Sequence, residues 1–309
     1  MAAALTNTSG SWLGTSVEKS RRALGLPADV PSPERRRRKA YRLLAVVAGR
    51  ERERSEGGQQ DRSHGLTNAF PLLREALDQP RWGEWIEATE VVGAAGPLAA
   101  EFLPALLMLL TNAPPGDASV WSVLMALGRM GEAAAPAIPH LTALVADVRQ
   151  PATLRYAAAS ALGRLGLASR TAAPAITSFL LAAASEAGEA PPHSYVSSLT
   201  CDLASVGETP AAAVPLLQEL AARTPTNDWQ RVPALIALWN RQRDDSGLQA
   251  EVRNALASTN PNPTLAALTI LTRLGTNAAV FAPQVRGLTN DLNPAVRAQA
   301  ARCLQAFSR

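Results

Sequence analysis

Apolar positions along this chain recur at intervals of three and four. In Pro139-His140-Leu141-Thr142-Ala143-Leu144-Val145 the spacing is that of one buried helical face. Tyr156 to Leu165 is apolar almost all round, which predicts a helix covered by neighbours on more than one side. Val, Ile and Thr never fall into the alternating runs that mark strands. The pattern predicts an all-α chain.

The helical stretches are punctuated at a regular spacing. Ala126-Leu127-Gly128-Arg129-Met130-Gly131 returns as Ala161-Leu162-Gly163-Arg164-Leu165-Gly166, 35 residues later. Weaker copies end at Gly96, Gly207 and Gly275. Such a period marks one supersecondary unit, repeated. Proline-bearing phrases at Pro104, Pro136, Pro174, Pro215 and Pro283 are expected to head the first helix of each unit, where a missing N–H has no intrahelical partner anyway. The closing Gly suits the left-handed residue that ends a helix. Residues 66–309 then hold about seven helical hairpins, one of them worn down to a helix ending at Asn240-Arg241. An insertion is expected at 186–192. The predicted architecture is a right-handed α-α superhelix, with residues 1–65 standing apart as an N-terminal leader.

The pattern Asp291-x4-Val296-Arg297-x2-Ala300-x2-Cys303-Leu304 resembles the second half of a HEAT repeat. Asp147-x6-Leu154-Arg155-x2-Ala158-x2-Ala161-Leu162-Gly163 matches it more fully. The short, Ala-rich form resembles the bacterial HEAT-like repeats named after phycobilisome lyases, an armadillo-like solenoid fold. That resemblance implies that Asp147, Arg155, Asp291 and Arg297 are structural ladder residues bridging adjacent repeats. It covers about four-fifths of the chain and is specific for fold rather than activity.

Charge changes the picture less than the overall balance suggests. The net charge is +4, but residues 1–65 carry 13 basic against 7 acidic residues, net +6, and residues 66–309 carry 17 against 19, net −2. A nucleic-acid domain usually shows its basic excess within itself, so the solenoid is not expected to bind nucleic acid. The leader, with Arg35 to Lys39 and Arg50 to Arg54, reads either as a charged helix from about 34 to 54 capping the first repeat or as a basic arm, with nucleic acid as a possible contact. Basic residues are nearly all Arg, with only Lys19 and Lys39, a bias suggesting a GC-rich bacterial genome. Cys201 and Cys303 lack metal-ligand spacing, and two isolated cysteines suit a reducing, cytoplasmic setting. No uninterrupted apolar run approaches about 18 residues, the basis for expecting no membrane span.

Catalytic motifs are absent: no Gly-x-Ser-x-Gly, phosphate loop, dinucleotide fingerprint or His-Glu-x-x-His occurs. His64, His140 and His193 cannot share a helical face, so neither a metal site nor any other cofactor is expected. What remains is aromatic. Aligned on the repeated phrase, Ile86, Trp121 and Tyr156 share one position, with Trp82, Trp85, Tyr195 and Trp229 within about a turn of it. At the start of the second helix these rings either pack between repeats or anchor a binding groove on the concave face. Arg129, Arg164 and Arg273 form a second row, one per repeat, in the last helical turn, where they complement the helix dipole or meet an acidic partner.

The reading that needs no missing chemistry is a non-enzymatic scaffold or adaptor that binds a protein or peptide on its concave face. Two alternatives stay open: a HEAT-like DNA glycosylase acting on alkylated bases, and a bilin-lyase-like chaperone. Both rest on resemblance.

Overall fold

Each positive-φ residue among those described is a glycine: Gly96, Gly131, Gly166, Gly207 and Gly275. They are the five that end the repeated phrase. At each the preceding helix stops, because only glycine adopts this backbone conformation without a Cβ clash. After all but Gly207 the chain runs into a seven-residue 3-10 segment: Gly96–Phe102, Gly131–Ala137, Gly166–Ala172 and Gly275–Phe281.

The computed structural model describes residues 33–56, 68–78, 84–113, 117, 120–185, 194–225 and 228–308, which form helices joined by turns, with no strand among them. Trp82, His64, His193 and the expected insertion at 186–192 lie outside them. The chain divides into two compact units, Met1–Ala95 and Gly96–Arg309.

In the first unit, α1 (Pro33–Glu56), α2 (Phe70–Asp78) and α3 (Glu84–Ala95) pack together, with α1 lying along α3. Among the described residues Tyr41 and Ala48 are buried on α1, Leu73, Ala76 and Leu77 on α2, and Ala88, Val91 and Val92 on α3. The arginine-rich stretch is therefore helical.

The second unit is a stack of six hairpins among the described residues: α4 (Leu103–Asn112) with α5 (Val120–Met130), α6 (Ile138–Ala146) with α7 (Ala152–Leu165), α8 (Ala173–Ser185) with α9 (Ser194–Ser205), α10 (Val214–Arg223) with α11 (Arg231–Arg241), α12 (Ser246–Leu256) with α13 (Pro261–Leu274), and α14 (Ala282–Gly287) with α15 (Pro294–Phe307). The α2/α3 pair is a further hairpin, within the first unit. The second helices α5, α7, α9, α11, α13 and α15 pack on one another in order. Their alanines let the helices approach closely: α7 buries Leu154, Ala157, Ala158, Ala159, Ala161, Leu162, Gly163 and Leu165.

Proline starts most of the first helices as expected, within the first two positions of α4, α6, α10 and α14. Pro136 departs from the expectation. It sits inside the 3-10 segment Gly131–Ala137, and Pro139 heads α6 instead. Polar side chains cap α12, α13 and α15: Asp245 accepts from the N–H of Leu248, Asn260 from that of Asn262, and Asn293 from that of Ala295, the N-cap arrangement.

Length and composition alone do not exclude a membrane. The continuous helical stretches Trp85–Asn112, Ala152–Ser185 and Pro261–Asn290 are long and apolar enough to cross one. Each contains one of the left-handed glycines, Gly96, Gly166 or Gly275, at which its α-helix ends. The separate α-helices within these three stretches are each 14 residues or shorter.

Candidate functional site

Three of the aromatic residues singled out in the sequence come together. Trp121, Tyr156 and Tyr195 stand near the starts of α5, α7 and α9, which neighbour one another in the stack. Tyr156 and Tyr195 stack with ring centroids 4.4 Å apart and planes 7° from parallel. Trp121 tilts toward Tyr156 at 6.5 Å and 31°. Trp121 is 39% exposed, and both tyrosines are half-buried. The rings form a short ladder along one edge of three helices, in contact yet still open to solvent. Trp229, 40% exposed, lies in the turn before α11 and makes no ring contact with the three among the described residues. Trp85 is half-buried at the start of α3, in the other unit.

At the opposite end of the same helices a second pattern appears. Gly128, Gly163, Ala204 and Thr272 each stand three residues before a phrase-ending glycine. Each receives a polar side chain from the next helix in the stack. The Arg164 side chain lies over Gly128, where a Cβ would come within 3.0 Å of its Cδ. Asp202 packs so tightly on Gly163 that a Cβ there would collide with its carboxylate. Asn240 donates from Nδ2 to the Ala204 carbonyl at 2.7 Å. Gln299 donates from Nε2 to Thr272 Oγ1 at 3.1 Å. The repeated Leu-Gly-Arg phrase thus encodes a notch as well as a helix end, which the sequence reading missed. The signal was there: one small residue at a fixed distance from each terminal glycine.

Asp202 is the most perturbed group here. It is 5% exposed, its Oδ2 has no hydrogen-bond partner, and burial pushes its pKa up to about 7 against the opposing pull of Arg273 and Arg164. Desolvation outweighs attraction, as it does when charges are near but not bonded. Arg164 keeps its side chain at the surface, yet the protein packed around its head lowers its pKa, and the charges of Arg273 and Arg129 lower it further. The carboxyl of Asp202 and the phenol of Tyr156 act the other way. Arg273 donates from Nη1 to Ser205 Oγ at 3.1 Å.

Arg273 arrives from two hairpins farther along the stack. Beside the expected contact with α11, α13 touches α9 and the 3-10 segment after Gly166 directly. This is possible because α11, the worn copy, ends without a left-handed glycine or a seven-residue 3-10 segment. Arg129, Arg164 and Arg273 therefore gather near one end of α5, α7 and α9.

Of the four ladder residues, Arg155 reaches the next hairpin, while Asp147, Asp291 and Arg297 bond within their own. Asp147 binds Arg149 at 2.9 Å, which holds its carboxyl down at about 2. Arg155 donates from Nε to the Val145 carbonyl at 2.9 Å and lies 4.2 Å over the Phe179 ring of α8. Arg297 donates from Nη1 to the carbonyls of Asp291 and Leu292. The Asp291 carboxylate accepts from the N–H of Asn293 at 2.7 Å. Arg231 repeats the Arg155 geometry in a hairpin whose pattern the sequence reading did not match: Nε donates to the Ala221 carbonyl at 2.9 Å, and Nη1 to Glu251 of α12 at 3.0 Å.

His140 is exposed in the first turn of α6. Among the described residues no group of three His, Cys, Asp or Glu side chains could hold a metal. Cys201 and Cys303 are free thiols, each pushed up to about 12 by burial. A cavity of about 460 Å³ at the turn edge is lined by Leu167, Arg170, Gly207, Glu208, Asn240 and Arg241, among others.

No family model matches the chain, and no curated protein matches it. Among solved structures it is similar to two crystal structures of Kap121p mutants. Each is 15% identical over 92% of this chain, with a TM-score of 0.41. The chain spans only 34% of those chains. A likeness that distant carries no argument about function. It is the hairpin stack itself that agrees with the HEAT-like resemblance read in the sequence.

Proposed function

We propose that the protein is a non-enzymatic scaffold or adaptor that binds a protein or peptide partner along the exposed edge of its second helices. The observation that carries this reading is the Trp121–Tyr156–Tyr195 ladder. A tryptophan left 39% exposed beside a stacked tyrosine pair gives up burial that a core position would supply, and contiguous exposed apolar surface marks interaction sites. Rings held against one another also lose little freedom on binding, which suits them as anchors.

The finer attributions belong to the same proposal. The phycobilisome-lyase type of HEAT repeat and a bacterial source rest on the Ala-rich repeat and the arginine bias. A cytoplasmic setting rests on two free thiols in separate helices. Residues 1–65 act in this reading as a leader whose helix α1 covers α3.

The test is selection from a displayed peptide library on the full chain, with the enriched peptides then assayed on the Trp121→Ala chain. Enriched peptides that lose binding to the variant support the reading. Enrichment of peptides indifferent to Trp121 contradicts it.

A further inference from the structure

We propose that the groove selects an acidic peptide segment, whose carboxylates lie across Arg129, Arg164 and Arg273 while an apolar side chain of the same segment rests on Trp121, Tyr156 and Tyr195. The inference rests on the peptide-binding reading and names the partner's chemistry.

Three observations carry it. The first is that the arginines are gathered and under-neutralised. Arg129 and Arg164 are exposed, and among the described residues neither has an acidic side chain within ion-pair distance. Arg273 bonds only the neutral Ser205 hydroxyl there. A nearby carboxyl, that of Asp202, is buried against Gly163 and forms no ion pair among the described residues. Guanidiniums that repel one another favour an incoming anion, and a carboxylate matches their planar fork.

The second observation is that two of the arginines share helices with two of the rings. Trp121 and Arg129 lie on α5, and Tyr156 and Arg164 on α7, each pair about two helical turns apart. The Tyr156 phenol is within electrostatic reach of the Arg164 guanidinium. A segment a few residues long can touch both ends at once.

The third observation separates peptide from nucleic acid. Single-stranded nucleic acid binds by stacking bases on aromatic faces along a basic track. Here Tyr156 and Tyr195 already stack on each other at 4.4 Å, which leaves no room for a base between them. Residues 66–309 carry 17 basic and 19 acidic residues, so the three arginines are a local feature and not part of a general basic excess. That suits a few carboxylates better than a polyanion.

The test is fluorescence polarisation of the full chain with two labelled probes, a short peptide of alternating glutamate and leucine and its glutamine-for-glutamate counterpart. The acidic peptide should bind at least about tenfold more tightly. Arg164→Glu and Arg129→Glu should each weaken the acidic peptide by about tenfold and leave the neutral one within about twofold. Arg286→Glu, an exposed arginine of α14, should change neither. Running two reversal variants, each checked by thermal melting, guards against one failing to fold. Equal binding of both peptides, lost in Trp121→Ala but not in Arg164→Glu, would overturn the acidic preference and leave the groove. No binding of either peptide would overturn both. Tighter binding of a labelled single-stranded oligonucleotide than of the acidic peptide, lost in Arg164→Glu, would overturn the inference in favour of nucleic acid.

Discussion

The carbonyl oxygen of Arg273 lies 2.6 Å from where a Cβ on Gly166 would stand, although α7 and α13 belong to hairpins three steps apart in the stack. Glycine at 166 therefore does two jobs. Its φ of +64° ends α7, and its missing side chain lets α13 close in. Gly131 has a similar φ of +58° with open space around it, so the pair separates the two roles. Gly131→Ala should cost about 1–2 kcal/mol, the penalty for left-handed backbone. Gly166→Ala should cost clearly more, and urea unfolding of both variants measures the difference. Equal costs would show that the close approach carries no energy.

Asp202 makes stability depend on pH in an unusual direction. Its carboxyl titrates at about 7 in the folded chain against an ordinary 3.8. Between those values the folded state holds a proton that the unfolded state has released. This contribution is therefore complete below about pH 4 and is lost as pH rises through 7. Across that window it amounts to roughly 4 kcal/mol. Asp202→Asn keeps the shape without the titration. Its stability relative to the natural chain should grow from pH 4 to pH 8, which thermal melting across that range measures. A constant difference would place the Asp202 titration at its ordinary value.

Arg231 should matter more for the carbonyl it caps than for its ion pair. The Nε bond to Ala221 satisfies the last turn of α10, whereas the Glu251 partner is 40% exposed and screened by solvent. Arg231→Met should cost about 1–2 kcal/mol in urea unfolding, and Glu251→Gln less than about 1. The reverse order would make the bridge to α12 the stabilising contact.

Much of this architecture was legible in the residues. The five phrase-ending glycines are the five with positive φ, because left-handed backbone and glycine are tied by sterics at short range. Of the site, the recurrence of rings at one repeat position was legible for Trp121 and Tyr156. The stacking of Tyr195 was not, because it sits two residues off register behind an insertion. The convergence of Arg273 on Arg164 could not be read from a uniform period. It depends on α11 ending early, which brings non-adjacent hairpins into contact, and linear spacing does not contain that information. The notch at Gly163 was visible as a glycine but not as the seat of Asp202, since the partner comes from the next helix.

Trp121→Ala tests the central claim most directly, with two quantities measured on one protein: affinity for a library-selected peptide and melting temperature. If the ring is a groove anchor, affinity should fall by more than about 1 kcal/mol with the melting temperature nearly unchanged. If it is packing between hairpins, affinity should hold while stability drops by roughly 3–5 kcal/mol, the cost of deleting a core aromatic. That second pattern would contradict the account.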